Sequence, residues 1–246
     1  MRHARTDEIG AGVPGGRRRE GGLRADGVSR SFGRGAGVVH ALADVSLVAH
    51  PGELLVVRGP SGSGKTTLLN ILGGLDRPTS GTVHLGDGRE LTAMREDDVL
   101  AVRREHIGYI FQSFGLIPVL SAAENVEIPL RLQLTDPAER SRRVAAALET
   151  VGLAEHGEQR PYELSGGQQQ RVGIARALVA EPEILLADEP TGQLDSGTAA
   201  VVMDLIRTLV HERGVAAVVS THDPILMQRA DRVLELHDGR AVAAAV

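Results

Sequence analysis

One stretch of the chain carries chemistry that its residue types and spacing spell out: Gly59-Pro60-Ser61-Gly62-Ser63-Gly64-Lys65-Thr66, with Thr67 directly after it. It lies between an apolar run at residues 53–58, which reads as a strand, and a run at 66–72 with helical spacing. This fits G-x-x-x-x-G-K-[ST] in its required strand–loop–helix setting. Glycines let backbone N–H groups curl around an anion, and the new helix points its positive end at the same place. Lys65 supplies a compact charge for β- and γ-phosphates, and the Thr66 hydroxyl suits Mg²⁺. The bland alternative is a glycine-rich turn with a surface lysine.

Further polar residues stand at places where a sheet of strands and helices would bring them together. An apolar strand at 183–187 ends in Asp188-Glu189-Pro190, and carboxylates at a strand's carboxyl end sit where such sheets bind ligands. Asp188 suits Mg²⁺, and Glu189 suits the orientation or deprotonation of an attacking water. Leu164-Ser165-Gly166-Gly167-Gln168 opens a helical run; Ser165 and Gln168 have capping-box spacing, which leaves the glycine pair unexplained. A glycine-rich helix start is itself an anion site, so the chain holds two phosphate-binding elements about a hundred residues apart. Gln112 follows an apolar strand at 107–111, and His222 follows another at 215–220. Alone, each would read as structural; at the same sheet edge as the phosphate loop they read as sensors of the γ-phosphate and its water.

The elements that must position these residues alternate. Strands at 43–48, 53–58 and 81–85 are joined by the His50-Pro51-Gly52 turn and the 66–72 helix. Helical spacing at 122–132 and 137–151 follows, with Asp136 as N-cap and Pro137 at the first helical position. Then come a helix at 167–179, a strand at 183–187, a helix at 197–211, a strand at 215–220, and short strands at 232–236 and 241–246. The pattern predicts an α/β sheet, largely parallel in its second half, interrupted by a helical insert.

Composition sets the frame. The chain has 246 residues, 42% hydrophobic and 24% charged, which suffices for a core. There are no cysteines, which removes disulfides and thiol nucleophiles. No apolar run reaches the roughly 18 residues of a membrane span. A net charge of −5 speaks against a dedicated nucleic-acid surface. Lys65 is the only lysine among 27 basic residues, and the aromatics are Phe32, Tyr109, Phe111, Phe114 and Tyr162 alone. Residues 1–22, with six glycines and Arg17-Arg18-Arg19, read as a flexible head, a solvated tail first and a contact for anionic headgroups second.

The motifs together resemble those of an ATP-binding-cassette (ABC) ATPase, the nucleotide-binding subunit of a transporter, over about residues 23–240. Leu-Ser-Gly-Gly-Gln at 164–168, running on through Gln169-Gln170-Arg171, is the family's signature. Gln112, the acidic pair, Asp195 in Leu194-Asp195-Ser196 and His222 in Ser220-Thr221-His222-Asp223 occur in the family's order. Residues 107–115 (IGYIFQSFG), Leu116-Ile117-Pro118, Glu124-Asn125-Val126 and Ile128-Pro129-Leu130 are similar to the lipoprotein-release, macrolide-efflux and cell-division branch. Gln193 departs from it, since asparagine is commoner there.

The resemblance implies a P-loop nucleotide-binding domain over 23–246, with an antiparallel β subdomain and a helical subdomain at about 113–165, and no appended regulatory domain. It implies ATP and Mg²⁺ as cofactors: Phe32 stacking on adenine, Asp195 near the nucleotide, and Thr66, Gln112 and Asp188 around the metal. It also implies a head-to-tail homodimer in which Ser165, Gly166, Gly167 and Gln168 of one subunit face the γ-phosphate held by the other. Glu189, His222 and Gln112 are then catalytic. An integral membrane permease would be the partner, touched by the helical insert, at the cytoplasmic face of the membrane, with no nucleic acid. Two other settings for the same ATPase are a mechanotransmission complex controlling a cell-wall enzyme and a soluble ATPase.

Overall fold

The computed structural model describes residues 22–33, 37–223 and 227–242. The head at 1–21 and the end of the last expected strand, 243–246, lie outside the described residues.

Among the described residues there are two sheets. A six-stranded sheet runs β5-β6-β7-β3-β8-β9, from β3 (Leu54–Arg58), β5 (Ile107–Ile110), β6 (Ile184–Asp188), β7 (Ala216–Thr221), β8 (Arg232–His237) and β9 (Arg240–Val242). All its pairings are parallel except β8 with β9. The strands read as continuous apolar runs because both faces are buried. Leu54, Val56, Leu185, Ala187, Ala217 and Val219 belong to one core. The residues between them, Leu55, Val57, Ile184, Leu186, Ala216 and Val218, belong to the other.

The first core is closed by α3 (Ala122–Leu132), α4 (Pro137–Thr150), α5 (Gly166–Leu178) and α6 (Ser196–Arg213). The second is closed by α1 (Lys65–Leu72), α2 (Glu96–His106) and the antiparallel sheet β2-β1-β4, made of β1 (Leu23–Phe32), β2 (Val39–Ala49) and β4 (Ser80–Leu85). The expected caps are present. Asp136 accepts from the backbone N–H of Ala138 and Glu139, and Ser165 and Gln168 complete a reciprocal capping box.

Two elements go beyond the sequence reading. β1 is a ten-residue strand whose alternation is broken by bulges against β2 and by Gly27 at φ +58°. α2 buries only Val99 and Val102, too few for a helical stripe. Its charges fit a helix, however: Glu96, Asp97 and Asp98 occupy the first turn, and Arg103, Arg104 and His106 the last.

Strand β5 lies so close to α5 that a Cβ on Gly108 would stand 2.3 Å from the Ala177 carbonyl oxygen, a backbone atom that cannot swing away. Gly108→Ala is therefore expected to cost on the order of 2 kcal/mol or more. A lower denaturant midpoint at unchanged slope checks this, and an unaltered midpoint contradicts it.

Candidate active site

The carboxyl ends of β3, β5, β6 and β7 deliver the site. After β3 the loop turns through Gly62 and Gly64, at φ +80° and +101°. A Cβ on Gly64 would lie 2.4 Å from the Ala41 oxygen, so only glycine fits between β2 and the start of α1. Lys65 is 7% exposed. Its ammonium donates to the carbonyls of Gly59 (2.8 Å) and Pro60 (3.1 Å) and stands 3.7 Å from Glu189 Oε1. A charge so enclosed depends on these partners.

Asp188 ends β6 and is buried. Its Oδ2 accepts from the Thr66 hydroxyl at 2.9 Å, and its Oδ1 from the Ser220 hydroxyl at 2.6 Å. Ser220 also holds the next residue, since its Oγ accepts from the Glu189 N–H at 2.9 Å. Glu189 adopts φ +43°, a left-handed conformation that costs energy in a non-glycine residue and turns its carboxylate back over the loop. Its Oε1 faces Lys65, while its Oε2 lies 3.3 Å from His222 Nδ1 and 3.5 Å from Gln112 Nε2. The carboxylate at the end of β6 thus meets residues from three other strand ends.

These groups border an open pocket of about 610 Å³, lined by residues 60–62 and 64–67 of the loop and helix start, by Val39, His40 and Ala41 of β2, and by Gln112, Glu189 and His222. Gly59 and Ser63 are not on its wall. Ser63 Oγ is buried without a hydrogen-bond partner among the described residues, while its carbonyl accepts from Gly239 N–H at 3.1 Å in the β8–β9 turn. The oxygen set of Thr66 and Asp188 suits Mg²⁺, a hard cation that prefers such ligands. Among the described residues no cluster of three or more His, Cys, Asp or Glu could cage a metal.

The other expected residues lie elsewhere on the chain. Ser165, Gly166, Gly167 and Gln168 open α5 and do not line the pocket. Gly167 has a local reason that spacing did not reveal, because a Cβ there would stand 2.5 Å from Thr198 Cγ2; a Cβ on Gly166 would meet only ordinary contacts at 3.6 Å. Asp195 is the N-cap of α6. The Thr198 side chain and the Thr198 and Gly197 N–H groups hold its carboxyl below the usual range. Phe32 ends β1, paired with Val39 and 42% exposed.

Three residues have positioning roles that the sequence did not reveal, although two of them stand within its motifs. Ser220 was hidden at the end of an apolar strand, although a hydroxyl there was the available signal. Asn125 is fully buried; its amide accepts from Ile117 N–H at 2.8 Å and donates to the Ile117, Leu120 and Ser121 carbonyls, pinning the segment after Gln112. Arg176 of α5 donates to the Gly115 (2.5 Å) and Phe114 (3.2 Å) carbonyls, and burial pulls its guanidinium below the ordinary value. It ties the Gln112 segment to the helix that Ser165 begins.

The chain as a whole is similar to known proteins. The family described as ABC transporter matches residues 42–192. The lipoprotein-releasing system ATP-binding protein LolD 1 of Rhodospirillum rubrum is 44% identical over 222 residues, covering 90% of this chain and 98% of that protein. The macrolide export ATP-binding/permease protein MacB of Salmonella choleraesuis is 46% identical over 215 residues, but the chain spans only 33% of its length. The dimeric structure of MJ0796, a bacterial ABC transporter cassette, superposes with a TM-score of 0.83 at 41% identity, covering 90% of this chain and 97% of that one. A second MJ0796 structure, a post-hydrolysis state bound to ADP and Pi, gives 0.82 at 40%. The chain therefore belongs to the ABC transporter family. It is an ATPase cassette of the kind that powers transporters, with the antiparallel and parallel sheets of that fold.

Lys65 offers the sole lysine side chain, nearly enclosed by the loop. An amine-directed reagent should modify it slowly, and ATP should protect it. Peptide mass mapping reads the outcome, and equal labelling with and without ATP contradicts its place against the phosphates.

Proposed function

We propose that the chain is the ATP-hydrolysing subunit of a membrane transporter complex, working as an ATP-bound homodimer on the cytoplasmic face of a permease. The observation that carries this reading is the convergence on Glu189, one oxygen toward Lys65 and the other toward Gln112 and His222. Such a carboxylate orients a water for attack on the γ-phosphorus and accepts its proton as the bond to the β-phosphate oxygen breaks. Lys65 neutralises the phosphates, and backbone N–H groups from Gly62 to Thr67 cradle them at the start of α1. Thr66 and Asp188, with Gln112 beside them, would hold Mg²⁺, which supplies charge neutralisation on the β- and γ-phosphates. His222 steadies Glu189 and senses the γ-phosphate. Phe32 offers its ring to adenine at the far end of the β2-lined wall, with Asp195 anchoring the helix beside the signature.

The signature lies away from the pocket of its own chain. This supports a site completed by the Ser165–Gln168 turn of a second copy. Residues 23–246 then form one cassette, with 113–165 as its helical subdomain. A groove lined by Ile117, Ile128, Leu132, Tyr109, Arg104 and Arg176 opens between that subdomain and the sheet. Nearby, Val119 is 73% and Leu134 90% exposed. This surface suits an amphipathic permease segment. Among the described residues no helix is long and apolar enough to cross a membrane, which fits recruitment through such a partner. The chain's similarity to a lipoprotein-releasing ATP-binding protein and a macrolide export protein favours a complex that releases or exports its cargo.

Glu189→Gln keeps the shape of the side chain and removes the base. Its kcat for ATP should fall by about a hundredfold or more, with ATP affinity unchanged. Steady-state turnover and equilibrium binding check this, and a kcat within threefold of the unaltered chain contradicts the assignment.

A further inference from the structure

The ring of Phe32 is not free on both faces. Arg30, two residues earlier on the same face of β1, places its guanidinium carbon 4.5 Å from the ring centroid. That guanidinium is itself fixed: Nε and Nη2 donate to the two carboxylate oxygens of Asp76 at 2.9 and 2.8 Å, in a bidentate fork. Asp76 lies in the turn that follows α1 and is tied back to that helix, its N–H donating to the Asn70 carbonyl at 3.2 Å. The neighbouring Thr79 grips β1 from the same side. Its hydroxyl accepts from Ser31 N–H at 3.0 Å, and its N–H donates to the Ser29 carbonyl at 2.8 Å. Ser31 Oγ meets His40 Nδ1 at 2.9 Å, and His40 lines the phosphate pocket.

These links form one path. Helix α1 begins at Lys65 in the phosphate cradle and ends against Asp76; Asp76 holds Arg30; Arg30 lies on Phe32. The ring is thereby referenced to the cradle through the helix that builds the cradle. An aromatic side chain at an exposed strand end would otherwise lose rotamer freedom whenever a base stacked on it, and that loss weakens binding. A guanidinium clamped on one face removes the freedom beforehand and leaves the other surface for a flat π-system.

We propose that Arg30 is a positioning residue for nucleotide recognition: anchored by Asp76, it backs the Phe32 ring and fixes the face on which adenine stacks. The proposal rests on the reading of Phe32 as the adenine platform. It does not concern the fold, because an ion pair with both partners partly exposed adds little stability. Its effect should appear in the part of the affinity that comes from the base and not in the part that comes from the phosphates.

Inorganic tripolyphosphate separates the two, since it carries the phosphates without a base. Calorimetric Kd values for ATP and for tripolyphosphate would be measured on the full chain, Arg30→Gln, Arg30→Lys and Phe32→Ala, with thermal unfolding as a check on each. The expected result is a roughly three- to tenfold weaker ATP Kd in Arg30→Gln with tripolyphosphate unchanged. Phe32→Ala should show the same selectivity with a larger loss. Should Arg30→Gln fail to fold, Arg30→Lys carries the same test with a loss of about two- to threefold, because it keeps a cation but not the fork. A selective loss in Phe32→Ala with none in the Arg30 variant overturns the proposal and leaves the platform reading standing. No selective loss in Phe32→Ala overturns that reading and the proposal with it. An equal loss for both ligands in Arg30→Gln assigns Arg30 to the cradle and also overturns the proposal.

Discussion

A single buried ammonium organises this molecule. Lys65 lies under its own loop, bonded to two carbonyls and 3.7 Å from a carboxylate. Holding it there requires a loop that closes through left-handed glycines and a helix that starts directly at the lysine. It also requires an acidic strand end opposite. The parallel sheet meets all three demands, because β3 and β6, with β7 between them, end at the same level. The two cores exist to hold those strand ends in register.

The second acidic residue shows how the scaffold shapes chemistry. Asp188 is tied on both oxygens, to Thr66 and Ser220, and is thereby committed to a fixed place beside the loop. The backbone of Glu189 is held by Ser220, in a conformation that turns its side chain toward Lys65, Gln112 and His222, which meet it at 3.3 to 3.7 Å. One carboxylate is locked and its neighbour is presented. Arg176 and Asn125 extend this order outward by fixing the segment after Gln112 against α5 and α3.

The phosphate loop, the acidic strand end and the signature could be read from sequence because each packs its chemistry into a few adjacent residues. The parallel strands were readable for a related reason, since burial on both faces leaves unbroken apolar runs such as 184–187. Where the signal failed, the cause lay in distant contacts. β1 changes phase at Gly27 and is defined by its partners β2 and β4, and α2 buries two residues only. The role of Ser220 depends on Asp188, 32 positions earlier. Arg30 acquires its role from Asp76, 46 positions later. The glycine at 167 looked like an anion-site requirement, and the structure adds Thr198 as a packing reason for it.

The Ser165–Gln168 turn does not line the phosphate-loop pocket of its own chain, and the proposed function stands on its completing the pocket of a second copy. The direct measurement is analytical ultracentrifugation of the Glu189→Gln chain with ATP, alone and combined with Ser165→Arg, with bound nucleotide counted in each. The account predicts an ATP-dependent dimer for the first. For the second it predicts a monomer that still binds one ATP. A double variant that dimerises with ATP as the single one does would contradict it.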